Sequence, residues 1–410
     1  MVDRRALQSV RSEASQLSPN RATLVRTLGP AYFYFLVAGT VTVMLGPLLP
    51  QLIQHWKIQD AQAGTLFTAD FIGQLCGAWI AAHSLRSSLI YGSILSAAGC
   101  IALTWLSFGP AHIALFCIGV GLGTGLTAGN IIAGTTLPAL RGKLLAVLNV
   151  VWGLGAIACP LLIYLTAGGG MRRFLFAIAA LLVTASLFSI ALPRAAAAPG
   201  ETSETSGAPG LEGAVTERRF PLPPLPLIAF AMALFLYVGV ENSLSGWLPS
   251  YAIRSSLSLH ASSIAIYFWT AELVGRLLVA ALMSILTEKA LYRLCLILLL
   301  ITEGFLCTIA HPTASGVIAL TILGGFTLAP VFPLLVSFML ARTGNHKRLG
   351  ALFASASVGG AVLPWLTGVC STYFHGLRAG LVVPAAGAAL LLLLSDVITA
   401  KIETRLPTYS

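Results

Sequence analysis

Two matching pairs of side chains in this 410-residue chain, Asp70 with Gln74 and Glu272 with Arg276, each set an acid that could hold a proton inside an apolar medium. They fall in two nearly matching octapeptides, Thr68-Ala69-Asp70-Phe71-Ile72-Gly73-Gln74-Leu75 and Thr270-Ala271-Glu272-Leu273-Val274-Gly275-Arg276-Leu277, which lie 202 residues apart. Thr, Ala, Gly and Leu recur in register, with an acid at the same place in both copies. Glu272 and Arg276 are spaced i, i+4, so on a helix they share a face and can pair. In the first copy Gln74 stands where Arg276 stands in the second. Asp70 therefore lacks a cationic neighbour and is the expected proton carrier, while Glu272 is the expected partner in an electrostatic latch. Carboxylates in apolar segments are costly and mark ion or proton pathways.

The elements that position these acids follow from composition. Hydrophobic residues make up 57% of the chain and charged residues only 9%, against about 25% charged in soluble domains. Mean hydropathy is +0.88. Twelve apolar runs long enough to cross a bilayer are predicted at 28–53, 61–83, 88–108, 111–138, 143–168 and 172–192, then 225–253, 262–285, 290–310, 314–341, 348–372 and 376–400. Pro50 and Pro249, and Pro160 and Pro364, keep almost the same offset as the octapeptides. The expected architecture is an all-α membrane protein of twelve transmembrane helices in two six-helix bundles, 28–192 and 225–400. The polar tail 1–27, the Pro-, Gly- and Ser-rich linker 193–224 and the tail 401–410 lie outside the bundles.

Of the 24 lysines and arginines, Lys57, Arg172, Arg173, Arg254 and Arg378 fall in loops on one face, and nearly all the others lie on the face that holds the termini. This bias predicts cytoplasmic termini and a cytoplasmic linker, in a cell membrane. The net charge of +10 is thus a topology signal, and nucleic acid is not an expected partner. All seven cysteines stand singly in apolar runs, and the histidines lack ligand spacing, so neither metal nor cofactor is expected. No Ser/His/Asp set or phosphate loop points to an enzyme.

Other intramembrane polar groups are candidates for solute contact. Tyr237-Val-Gly-Val-Glu241-Asn242 through Gly246-Trp247-Leu-Pro249-Ser-Tyr251 is the densest polar and aromatic patch in any run, and its Gly and Pro residues weaken the helix where transporters line cavities. Glu241 and Asn242 can hydrogen-bond a polyol, and Trp247 or Tyr251 can stack on a sugar face. Trp247 and Tyr251 equally suit an interfacial aromatic belt. Asn130 follows a glycine run, Gly119 to Gly129, that suits close helix packing. Asn149 precedes Trp152. Glu303 and Asp396 are expected to be structural. The candidates are thus Asp70, Glu241, Glu272 and Arg276 for protons, and Gln74, Asn130, Asn149, Trp152, Asn242, Trp247, Tyr251, Trp269 and Trp365 for a solute.

Four stretches carry a family resemblance: Tyr237 to Tyr251; Phe268-Trp269 to Gly275-Arg276-Leu277; Leu148-Asn149 through Gly153-Leu-Gly155 to Pro160; and Gly359-Gly360 through Pro364-Trp365 to Gly368. In these the chain resembles the fucose/galactose/glucose–proton symporter branch of the major facilitator superfamily. The resemblance implies that superfamily's fold and proton-coupled uptake of a small polar solute, most simply a sugar, by alternating access. The alternative is proton-driven efflux of an amphipathic drug-like or organic-anion compound. A monomer in the lipid bilayer is expected. The chain departs from the pattern between spans two and three, where Gly77 and Arg86 are kept but the acid is lost. It departs again where Gly46-Pro47 replaces the branch's acid ahead of Leu48-Leu49-Pro50-Gln51.

Overall fold

The computed structural model describes residues 21–81, 84–137, 140–166, 168, 170–192, 224–256, 258–343 and 349–400. The N-terminal tail up to residue 20, the linker from 193 to 223, the tail from 401, and the basic residues Lys347 and Arg348 lie outside the described residues. The described residues form helices joined by short turns. In the first half these are α1 (Arg21–Thr42), α2 (Leu45–Trp56), α3 (Asp60–Ile80), α4 (Leu85–Leu103), α5 (Phe108–Thr136), α6 (Arg141–Thr166) and α7 (Gly170–Ile190). In the second they are α8 (Pro224–Ser255), α9 (Ala261–Leu282), α10 (Glu288–Thr308), α11 (Ala314–Leu328), α12 (Val331–Thr343), α13 (Leu349–Tyr373), α14 (Leu377–Gly380) and α15 (Val382–Thr399).

Three spans are broken: α1–α2, α11–α12 and α14–α15 each make one crossing. The first break falls at Val43–Met44, just ahead of Gly46-Pro47. Proline has no N–H for the preceding turn and is tolerated in the first turn of a new helix. Among the described residues, eleven helices are long and apolar enough to cross a membrane. The remaining pass is α3, of 21 residues. Asp60, Gln62, Asp70 and Gln74 lower its hydropathy, and those residues prove to be the interesting ones.

Within the halves α3 packs on α5, α4 on α5 and α7, α8 on α13 and α15, and α9 on α11. The halves meet along three seams, α3–α13, α6–α9 and α2–α8. The first two exchange under the repeat, since α9 is the copy of α3 and α13 the copy of α6. Each duplicated glycine lies where its helix approaches the next. A β-carbon on Gly73 would strike the Phe116 carbonyl of α5, and one on Gly275 would meet the Ala329 methyl at 2.6 Å. Gly119 and Gly123 of the glycine run lie against the α3 backbone at Asp70 and Gln74. Small residues permit such backbone approach in lipid.

Candidate functional site

Where α6, α8 and α9 converge, the structure gathers five of the predicted residues and one that spacing had not singled out. Arg276 on α9 pairs with Glu272 one turn earlier, and its Nη2 also lies 3.2 Å from Oε1 of Glu241 on α8. Tyr237, one turn before Glu241, donates its hydroxyl to the same Oε1 at 2.7 Å. From the other half, Trp152 of α6 lies under the guanidinium, 5.6 Å from ring centroid to Cζ. Trp269 stands edge-on to Trp152 with centroids 5.6 Å apart. Tyr237 was legible as an i, i+4 partner of Glu241; the Trp152 contact, between helices distant in sequence, was not.

The charge balance of this cluster is uneven. Two carboxylates face one guanidinium, Glu272 is only 1% exposed, and its Oε2 has no partner among the described residues. A desolvated ion pair is favourable only when its remaining lone pairs and charges are satisfied. The surplus negative charge is what a proton or a hydrogen-bonding solute can neutralise. Arg276 over Trp152 adds a cation–π contact that ties the charge balance to the seam between the halves.

Asp70 is not part of this assembly. Its Oδ2 accepts from Gln74 Nε2 at 2.9 Å, and Oδ1 has no partner among the described residues. Thr68 and Phe71 face α13, through the Ala361 carbonyl at 2.8 Å and through Gly360. Asp70 is rotated away from them, into the first bundle.

The aromatic candidates divide. Trp247 is wholly buried, and its Nε1 donates to the Pro364 carbonyl at 2.9 Å. Tyr251 is also buried, with its hydroxyl on the Leu306 carbonyl at 3.2 Å. Both rings are consumed by packing in this conformation, in place of the solute stacking or interfacial belt expected for them. Trp365 is partly exposed beside Gly64 of α3. Asn130, Asn149 and Asn242 each bond the carbonyl one turn back on their own helix. Asn149 is exposed although it lies about half a turn from the lipid stripe of Val147, Leu154 and Leu161. It shares a side of α6 with Trp152, one turn nearer the termini.

At the face opposite the termini a second constellation joins the halves. Asp60, at the start of α3, receives both Nη atoms of Arg254 on α8 at 2.7 Å and the Ser371 hydroxyl on α13 at 2.6 Å. The Ala61 amide donates to Thr372 Oγ1 at 2.8 Å. Burial pushes the Asp60 carboxyl upward, but the hydrogen bonds from Arg254 and Ser371 and the Arg254 charge outweigh it, leaving it below its ordinary range. His112 sits in the second turn of α5 and meets Thr65 Oγ1 at 2.7 Å. Asp396, expected to be structural, pairs with Arg293 and Lys289.

Twinned bundles of membrane-crossing helices, with a polar cluster where they meet, define a membrane transporter of the two-bundle class. The chain belongs to the Major Facilitator Superfamily, whose family model matches residues 31–348. Among its relatives is a glucose/mannose transporter of Bacillus subtilis (strain 168), 25% identical, the match covering 82% of this chain and 86% of the relative. A putative glucose/galactose transporter of Helicobacter pylori (strain J99) is 25% identical over 86% of this chain and 91% of its own. The crystal structure of a D-xylose-proton symporter superposes with a TM-score of 0.67 at 15% identity, covering 91% of this chain and 96% of that one. That likeness bears on the fold.

Proposed function

We propose that this protein moves a small polar solute, a sugar, across the membrane by alternating access coupled to protons. The carrying observation is the cluster of Glu241, Glu272 and Arg276 against Trp152, where two carboxylates share one guanidinium across the seam of the halves. A proton on the Glu241–Glu272 pair removes the surplus charge, and a neutral pair crosses the dry intermediate state more cheaply than an ionised one. Asp70, a lone buried carboxylate, is a second proton carrier in this reading. Sugar as the solute is supported by the relatives named as glucose/mannose and putative glucose/galactose transporters and by chemistry. Trp152 offers an aromatic face, with Trp269 packed behind it, and Asn149 and Asn242 offer amides, beside a charged pair that can bond hydroxyls.

The direction of opening follows from the same geometry. Asp60, Arg254, Ser371 and Thr372 seal the face opposite the termini, while Asn130 and Asn149 are exposed on the side of the termini. With the termini in the cytoplasm, as the basic-residue bias supports, the closed face is the outer one in this reading.

The test is counterflow in proteoliposomes across hexoses, pentoses, nucleosides, organic acids and cationic drugs, each run with and without an inward proton gradient. A hexose or pentose is expected to exchange without the gradient and to accumulate with it. Exchange of drugs or organic acids alone would sink the sugar reading. Sugar exchange with no gradient-driven accumulation would sink the coupling.

A further inference from the structure

Glu303, on the ninth span, takes no part in any of this, and it is the most completely buried acid in the second half. It is 0% exposed, and neither carboxyl oxygen has a hydrogen-bond partner among the described residues. The elements packed on α10 are α11, α12, α14 and α15, and α8 touches it through Tyr251, whose hydroxyl donates to the Leu306 carbonyl, while Arg254 of α8 is engaged by Asp60. Helix α11 carries no ionisable side chain. On α12, Arg342 is engaged by the Val397 and Ala400 carbonyls. On α15, Asp396 pairs with Lys289 and Arg293 at the far end of α10. On α14, Arg378 lines a pocket of about 730 Å³ at the face opposite the termini. An ionised carboxylate without a partner in such a place is too costly to persist.

The lining of that pocket begins at Ala310 and His311, about two turns along from Glu303. Cys307 lies one turn from Glu303 along α10 and is half-buried, and His311, just past the helix end, lines the pocket. Tyr251, another lining residue, holds the Leu306 carbonyl in the turn between. The pocket also contains Asp60 and Arg254 of the seal, so it changes shape whenever that face opens.

We propose that Glu303 is a proton-binding site, uncharged in this conformation and loaded from the pocket at the sealed face past Cys307. In the loading step a hydronium ion in the pocket gives its proton to one carboxyl oxygen and leaves as water; unloading is the reverse. The proton site stands whether or not a sugar is the solute.

The full chain, purified in nanodiscs, is treated at neutral pH with dicyclohexylcarbodiimide, which adds to protonated carboxyls in apolar surroundings. Peptide mapping is expected to find the adduct on Glu303, and a hydrophilic carbodiimide is expected to give severalfold less. Infrared spectra should show a protonated-carboxyl band that Glu303→Gln removes and Asp70→Asn leaves. In heavy water Cys307→Leu should slow deuteration of that band severalfold. Should Glu303→Gln fail to fold, the adduct on the wild type decides. An unmodified Glu303, or a variant that loses only ionised-carboxylate absorbance, overturns the proposal; deuteration unaltered by Cys307→Leu overturns the route.

Discussion

In the first copy of the repeat, Asp70 has a single hydrogen bond, from Gln74. In the second, Glu272 has Arg276 at the same spacing, and through it Glu241, Tyr237 and Trp152. The backbones agree, since both acids precede a residue that packs on the other half: Phe71 on Gly360 and Leu273 on Gly153. The difference lies in one side chain and its surroundings. An arginine reaches from its own helix to a second carboxylate and to a tryptophan of the opposite bundle. A glutamine ends within its own turn. The register of the prolines puts Thr42 where Glu241 stands and Ala38 where Tyr237 stands, so the first half has no acid at that place for a cation to bridge. Duplication supplied two equivalent places, and substitution made one a hub between the bundles and the other a solitary acid.

The comparison breaks most readily at Arg276. Arg276→Ala leaves two buried carboxylates with no cation, and breaking a buried pair from one side costs about 3–5 kcal/mol. Counterflow is expected to vanish and thermal unfolding to shift sharply downward. Adding Glu272→Gln should recover part of that loss, because it removes one orphaned charge; the coupling is measured by a double-mutant cycle. Strict additivity of the two changes would mean that the residues act independently and the hub does not exist.

A smaller effect is expected at the seal on the face opposite the termini, which joins the same bundles by different means. Asp60→Asn keeps an acceptor for Ser371 but loses the ion pair with Arg254, whose side chain is 41% exposed. Such pairs are worth up to about 1 kcal/mol. Spin labels at Lys57→Cys and Ser258→Cys should therefore report a severalfold larger population with the face open. Because hydrogen bonds and the Arg254 charge hold Asp60 below its ordinary range, its contribution is present above the unfolded value. It is lost only as pH falls through the folded one. The wild-type distance should thus widen only in acid, below the usual carboxylate titration, and the variant should lack that transition. A seal insensitive to both would show that packing alone closes this face.

Much of this was legible along single helices and little of it between them. The spans, the repeat, the Glu272–Arg276 pair and the twofold relation of the halves follow from hydropathy and spacing. The contacts of Arg276 with Trp152, and of Asp60 with Arg254 and Ser371, depend on how helices are rotated and which ones touch. A single sequence does not encode that legibly. Trp247 shows the converse error of reading a polar-aromatic patch as solute-facing. Its indole N–H needed a partner in the apolar interior, and the Pro364 carbonyl of α13 supplies one.

The finest test of the contrast is Asp70→Asn. An asparagine can still accept from Gln74 and needs no proton to be neutral, so folding stability should change by less than about 0.5 kcal/mol. Counterflow should be preserved as well, since Asp70 is turned away from the seam and from the Trp152 cluster. What remains is the proton count. If both acids carry protons, the variant should accumulate solute to a lower ratio under the same gradient while Glu272→Gln removes accumulation altogether. Unchanged accumulation would leave Asp70 as a mere filler of the first bundle. Complete loss of accumulation with intact counterflow would invert the comparison, because the acid without partners would then drive transport and the bridged pair would only hold the bundles in register.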